Sequence, residues 1–141
     1  MNKLLLAAVL ATAGFFHDAS AQDDAKDNVA LIMQKNISDA PGKRVTVITV
    51  SYAPGQASEP HSHPGSVFAY VLEGKVVSQL EGEPAPTTYS QGQSWYEAPG
   101  SHHIVSRNAS ATEPAKIVVW AMSAEGEPIK KPLPTDGKDA K

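Results

Sequence analysis

Alternating apolar and polar residues are the main pattern of the sequence, and they are clearest in KRVTVITVSY, Lys43 to Tyr52. Alternation with period two puts one set of side chains on a single face of an extended chain, so this run predicts a half-buried β-strand. No segment sustains the apolar period of an amphipathic helix. We therefore expect a protein built from strands.

Other strand-like runs follow, separated from one another by glycine or proline. Glu73-Gly74, Gln91-Gly92 and Pro99-Gly100 provide the residues that tight turns require. The strands predicted in this way are 29–37, 43–52, 67–72, 75–80, 87–89, 94–97, 103–107 and 117–123. Many short strands at this spacing favour an all-β antiparallel sandwich or barrel, formed by a single domain over 29–123.

The N-terminus predicts export. Residues 1–21 are typical of a secretory signal peptide, because Lys3 precedes an apolar run and Ala19-Ser20-Ala21 fits a signal-peptidase site. The apolar run, Leu4 to Phe16, is shorter than the roughly 20 residues that span a bilayer. We expect a periplasmic or secreted protein with no stable membrane anchor after cleavage.

Both ends of the mature chain predict little regular structure. The segment 22–28 is polar and acidic, and we expect it to be mobile. The C-terminal segment, 124–141, is interrupted by prolines and predicts an extended tail. Within that tail, the run Ile129 to Leu133 can still pair at a sheet edge.

The composition excludes several classes of function. With 141 residues, 41% of them hydrophobic, the chain has enough apolar material for one compact domain. A net charge of −3 and scattered Lys and Arg residues leave no basic surface for nucleic acid. The absence of cysteine excludes disulfides, thiolate nucleophiles and zinc–thiolate sites.

Histidines give the first sign of chemistry. His61 and His63 are separated by one residue, Ser62, before a strand-like run, so their side chains project to the same side of an extended chain. His103 follows a Pro-Gly turn and can approach them from a second strand. Three convergent imidazoles can bind one metal ion. His102, adjacent to His103, should point to the opposite face and lie at the surface or outside the ligand sphere.

These histidines lie in a segment that resembles the first motif of the cupin superfamily. That motif runs from a glycine through His-x-His and a glutamate to a second glycine, and Gly55, His61, His63 and Gly74 take their places in it. Val67 stands where the motif has its glutamate. A valine cannot coordinate a metal ion, so the ligand set is reduced to imidazoles.

The second cupin motif is also recognisable. Gly92, Gly100 and His103 match it, whereas Ala98 replaces its first proline and Asn108 comes one residue later than its asparagine. Together the two motifs and their spacer cover about half of the mature chain. The resemblance implies a cupin domain, a jelly-roll sandwich with a metal site at its mouth, and a homodimer.

A carboxylate from another position in the chain can replace the glutamate that is missing at position 67. Glu97 lies on the strand that leads into the second motif, and it is a candidate fourth ligand or outer partner of a ligating histidine. The alternative is a solvated carboxylate at the end of a strand. Glu59, two residues before His61, is a second candidate on the same face, with a place in the loop outside the barrel as the alternative.

We expect a largely apolar cavity around the metal site. Val67, Ala69 and Val71 share one face of a predicted strand and are candidates for its wall. Further candidates to line or cap the pocket, with ordinary core packing as the alternative for the aromatic residues, are Tyr70, Gln79, Trp95, Tyr96 and Trp120.

Two functions fit these features. One is a metal-dependent dioxygenase of a small organic substrate, because cupins with three histidines include such enzymes. The other is a non-catalytic module that binds a small molecule, a sugar or a metal ion, and the fold hosts both. Three imidazoles suit Fe, Mn, Zn, Ni or Cu as a divalent ion, so the metal stays open.

Overall fold

A computed structural model describes residues 28–133 of the protein. The predicted signal peptide, 1–21, and the segment 22–27 lie outside the described residues, as does 134–141. The described part consists of β-strands and their connections, and it contains no helix that could cross a lipid bilayer. Its strands are β1 Asn28–Asn36, β2 Lys43–Tyr52, β3 His61–Ser62, β4 Ser66–Glu73, β5 Lys75–Leu80, β6 Thr87–Ser90, β7 Ser94–Glu97, β8 His102–Asn108, β9 Ala115–Ala124 and β10 Lys131–Pro132.

The strands form two antiparallel sheets of five strands each. The first sheet has the order β1-β2-β9-β4-β7, and the second has the order β10-β3-β8-β5-β6. Strand β9 alternates buried and half-buried residues along its whole length, as a strand with one face toward a core does. The all-β jelly-roll sandwich predicted from the sequence is confirmed.

The hydrophobic core lies between the two sheets. Val67, Val71 and Val76 are 1%, 0% and 0% exposed, and they pack with inward residues of β2 and β9. The alternate residues of β4 point the other way, so Phe68 and Tyr70 are exposed on the outer face of the first sheet. Burying a valine side chain contributes on the order of 1.5–3 kcal/mol, so this inward face largely fixes the register of β4.

Two very short strands, β3 and β10, lie at the histidines, and β3 was not predicted from the sequence. Strand β3 pairs on one side with β8 and on the other with β10. The segment predicted as a tail from residue 124 therefore returns to the domain, and Ile129 packs against the core. The edge pairing foreseen for Ile129 to Leu133 is present at Lys131 and Pro132. Asn28, predicted to be mobile, is the first residue of β1.

Candidate metal centre

Strand pairing brings the distant histidines together. In the β3–β8 ladder His61 and His103 are direct Cα partners, and His102 pairs with Ser62. Residues opposite each other in an antiparallel pair project to the same face, so His61 and His103 both point between the sheets. They are 7% and 3% exposed.

The three imidazoles predicted as ligands form one buried cluster. The ring centres of His61 and His63 are 4.9 Å apart, and those of His61 and His103 are 5.1 Å apart. Each residue offers a nitrogen, and these nitrogens all lie within 4.8 Å of one another. A small adjustment of side chains would place all three nitrogens at roughly 2.0–2.1 Å, the zinc–imidazole bond length, from one ion between them. The cluster can therefore hold a metal ion.

Each histidine has a partner that orients its ring. His61 Nδ1 donates to the carbonyl oxygen of Glu59 at 2.7 Å, and His63 Nδ1 donates to the carbonyl oxygen of Ile129. Because a carbonyl oxygen only accepts, the Nε2 atoms of His61 and His63 carry free lone pairs when the rings are neutral. His103 Nε2 lies 2.9 Å from Ser78 Oγ. Outer partners of this kind are typical of metal-ligating histidines.

Glu97 reaches the cluster from the opposite sheet. Its side chain is 2% exposed, with Oε1 lying 3.2 Å from His103 Nδ1 and Oε2 lying 3.7 Å from His63 Nε2. Trp95 Nε1 donates to Oε1 at 3.0 Å, whereas Oε2 is buried without a hydrogen-bond partner. A buried polar atom without a partner is costly, and a cation beside it would remove that cost.

Burial controls the charge of these groups. It lowers the pKa of His61 from 6.5 to about 4, and it lowers the pKa of His63 as well. Burial also opposes ionisation of Glu97, but the contacts with His103, His63 and Trp95 outweigh it, and the pKa of Glu97 falls below its ordinary value. At pH 7 His61 and His63 are therefore neutral beside an ionised carboxylate, which is a donor set suited to a divalent cation.

The metal-free protein is expected to lose stability as the pH falls from about 6.5 to about 4. In this window an unfolded His61 takes up a proton while the buried one does not, so acid favours the unfolded chain. Thermal melting in the presence of a chelator, measured every half pH unit, checks this. The variant His61→Asn removes the group, and its melting temperature should fall less steeply over the same window. Parallel curves for the two proteins would contradict the prediction.

A cavity of about 260 Å³ adjoins the histidines. The first sheet provides its apolar wall, and the histidines with Glu97 provide the polar part. Ile129 and Lys130, on the returning C-terminal segment, lie at its edge. The apolar side chains of the wall are Val29, Ile48, Val50, Val67, Ile117 and Val119. Apolar cavities with a few polar groups at one side are typical of small-molecule sites.

Several residues predicted to line the pocket lie elsewhere. Tyr70 is 44% exposed on the outer face, and Gln79 is half-buried with its amide donating to the carbonyl oxygen of Glu83. These two pocket predictions are corrected, because Tyr70 alternates with inward-facing Ala69 and Val71 on β4, and Gln79 follows inward-facing Ser78 on β5. Tyr96 and Trp120 are corrected likewise, since both contact Phe68 on the outer face.

The remaining pocket candidates divide into two groups. Val67 lines the cavity, as predicted. Ala69 and Val71 are buried in the core and are not part of the cavity wall. Trp95 is also outside the wall, where its ring packs on Tyr89 and its N–H reaches Glu97. Its contact with the site is the hydrogen bond to Glu97.

His102 is placed apart from the cluster. Its side chain is 42% exposed, and Nδ1 lies 2.8 Å from Glu81 Oε2 at the surface. This agrees with the alternation argument that separated it from His103. Ser78 and Ile129 are site residues that the sequence did not indicate. A lone serine belongs to no recognisable motif, and the contribution of Ile129 is a backbone carbonyl oxygen in a segment predicted to be a tail.

Comparisons with known proteins agree with this architecture. The family model described as Cupin domain matches residues 48–121. No curated protein matches the chain. Among solved structures, an uncharacterized conserved protein with a double-stranded β-helix domain from Klebsiella pneumoniae superimposes with a TM-score of 0.58 at 19% identity, covering 72% of this chain and 81% of that protein.

Two other solved structures share the fold. A cupin-like protein from Thermotoga maritima has a TM-score of 0.58 at 22% identity, covering 76% of this chain and 75% of its own. The DMSP lyase DddQ from Ruegeria pomeroyi has a TM-score of 0.64 at 18% identity, covering 86% of this chain and 58% of its own. At these identities the likeness concerns the fold.

Proposed function

The chain belongs to the cupin family, and we propose that it is an exported metal-dependent dioxygenase that acts on a small organic substrate. The observation that carries this proposal is the convergence of three buried histidines at one side of an apolar cavity. A surface cluster of histidines would serve metal capture alone. A cluster that opens into a cavity of about 260 Å³ also gives a small molecule a place beside the ion.

The chain's own residues would hold and enclose the reactants. His61, His63 and His103 would bind a divalent ion, with Fe, Mn, Zn, Ni and Cu as candidates. When bound, such an ion supplies Lewis-acid chemistry and, in the case of iron, electron transfer. The apolar wall would bind the hydrocarbon part of a substrate and exclude water from the polar side of the cavity.

Export and dimer formation belong to the same proposal. The signal sequence at residues 1–21 supports a periplasmic or secreted protein. A homodimer is supported by large apolar side chains exposed on the outer face of the first sheet, namely Phe68, Tyr70 and Tyr96. Such side chains usually mark a contact surface when they lie side by side, and Phe68 and Tyr96 have ring centres 4.9 Å apart.

The proposed oxidation predicts oxygen uptake that depends on metal and substrate together. Protein without its signal peptide would be stripped of metal, loaded anaerobically with Fe(II), and mixed with diketones, phenols or thiols in an oxygen electrode. We expect one substrate in the panel to consume oxygen in equal amount, because both atoms of dioxygen enter the products. His61→Ala should abolish the uptake, and His102→Ala, a surface histidine, should retain it.

Two outcomes would replace this proposal. Metal binding with substrate-dependent rises in melting temperature but no oxygen uptake would indicate a non-catalytic binding module. Elimination products formed from a substrate under anaerobic conditions would indicate a lyase, the activity that the name of DddQ gives for that protein. Loading with each of the other candidate metals, in the same assay, extends the test to ions other than iron.

A further inference from the structure

Glu97 lies directly opposite position 67, where the first cupin motif has its glutamate. Val67, at the motif position, is 1% exposed and lines the cavity, and it is the direct Cα partner of Glu97 in the β4–β7 ladder. Side chains paired across an antiparallel ladder lie on the same face, with Cβ atoms about 4.5–5.5 Å apart. A carboxylate on β7 therefore points between the sheets from a position one strand removed from β4.

The surroundings of Glu97 favour a positive charge beside its Oε2 atom. Its Oε2 atom is buried, has no hydrogen-bond partner and lies 3.7 Å from His63 Nε2. His63 Nδ1 donates to the carbonyl oxygen of Ile129, so the Nε2 atom that faces Glu97 presents a lone pair. Two acceptors face each other out of water, an arrangement that repels unless a proton or a positive ion lies between them.

The other histidines fit the same centre. His61 Nδ1 is held by the carbonyl oxygen of Glu59, which leaves Nε2 for an ion. Ser78 Oγ can accept from Nε2 of His103, and in that tautomer Nδ1, which lies 3.2 Å from Glu97 Oε1, presents a lone pair to an ion. Each histidine thus has one nitrogen on an outer partner and one for the centre that the carboxylate also faces.

We propose that Glu97 is the fourth ligand of the metal site, replacing from the neighbouring strand the glutamate that position 67 lacks. This inference rests on the proposed metal site and goes beyond the three histidines. One carboxylate lowers the net charge of a divalent centre from about +2 to about +1. A site with a carboxylate ligand also favours hard ions that prefer oxygen ligands more than a site with imidazoles alone does. The site then differs from a three-histidine centre in charge and in the number of open positions.

Glu97→Gln tests this with zinc as the probe, measured by competition with a chromophoric chelator. We expect zinc affinity to fall at least about 100-fold, at or beyond the 10–100-fold that loss of an outer partner costs. Metal-free Glu97→Gln should melt at the same or a higher temperature than wild type, because its amide can donate toward His63 Nε2. A purely structural carboxylate would give a lower melting temperature instead.

A carboxylate transplant separates ligation from positioning. The double variant Val67→Glu/Glu97→Val moves the carboxylate back to the motif position, and its matched control is Glu97→Val, which differs at position 67 alone. We expect the double variant to bind zinc at least about 10-fold more tightly than the control, because the carboxylate introduced at position 67 can again coordinate the ion. A carboxylate that acts only by holding His103 or Trp95 would not be rescued from position 67.

The outcomes distinguish this inference from the proposed function. If wild-type protein binds no zinc, the metal site itself is wrong. If wild type binds zinc and Glu97→Gln binds it within about threefold, the histidines suffice and Glu97 is not a ligand. Loss of affinity in Glu97→Gln without rescue by the transplant would also overturn the proposal, by assigning Glu97 to the positioning of His103.

Discussion

Replacing His61 with alanine is expected to abolish measurable divalent-metal binding, a loss of about 1000-fold or more. Changes to outer partners of a metal ligand already cost 10–100-fold, and His61 is the member of the cluster whose ring lies near both of the others. Zinc or cobalt titration by calorimetry measures the loss directly. A metal-dependent rise in melting temperature should vanish with it, since an ion present at 100 times its Kd contributes about 2.7 kcal/mol to the stability of the folded protein.

His102→Ala is the matched control for this experiment. His102 is the neighbour of His103 in β8, and its replacement also removes one imidazole, but its side chain is 42% exposed and contacts Glu81 at the surface. Metal affinity should stay within about threefold of wild type, because an exposed pair of this kind contributes little. Equal losses in the two variants, or unchanged binding in both, would contradict the assignment of the site.

Gly65→Ala is expected to cause the largest loss of stability of any single substitution considered for this chain, more than about 4 kcal/mol. A Cβ atom at Gly65 would lie 1.6 Å from the backbone oxygen of Met122. Because the obstacle is the backbone of β9, which pairs with both β2 and β4, no side-chain rotation relieves the clash. Soluble yield and urea unfolding measure the effect. Gly65 also follows His63 by two residues, so any surviving protein should bind metal more weakly.

Gly42→Ala provides the comparison. Gly42 has φ of +76° and nothing within 4 Å of an added Cβ, so the substitution introduces backbone strain without a clash. The expected cost is roughly 1–2 kcal/mol, the penalty for an alanine in the left-handed region. A Gly65→Ala protein as stable as Gly42→Ala would show that the approach of the His63 loop to β9 is not tight.

Local sequence patterns predicted the strands well because each strand carries its own alternation and its own turns. Strand β2 was predicted with the bounds that the structure shows, and β5 and β7 likewise. The inward direction of His61, His63 and Val67 followed from the same alternation. Tyr70 was assigned to the pocket against that pattern, and the structure places it outside.

Features that depend on pairing between distant segments could not be read from the sequence. Strand β3 has two residues, too few for a periodic signal, and it exists because β8 and β10 hold it on both sides. The direct pairing of His61 with His103 and of Val67 with Glu97 is a matter of register. Register is set by the core as a whole, so the sequence could nominate Glu97 but could not place it opposite Val67.

The C-terminal segment shows the same limit. Prolines and glycines near residues 126–134 favour an extended tail locally, yet the carbonyl oxygen of Ile129 accepts from His63 and its side chain packs on the core. Tertiary contacts thus make part of the predicted tail a component of the site. Proline remains compatible with this role because β10 lies at the edge of its sheet.

The most direct measurement is an anomalous-difference map from a crystal of cobalt-loaded protein. The account predicts one strong peak per chain, bound at roughly 2.0–2.2 Å by nitrogens of His61, His63 and His103. A map without a peak between these imidazoles, from protein saturated with cobalt, would contradict the central claim that two distant segments of the chain meet around one cation.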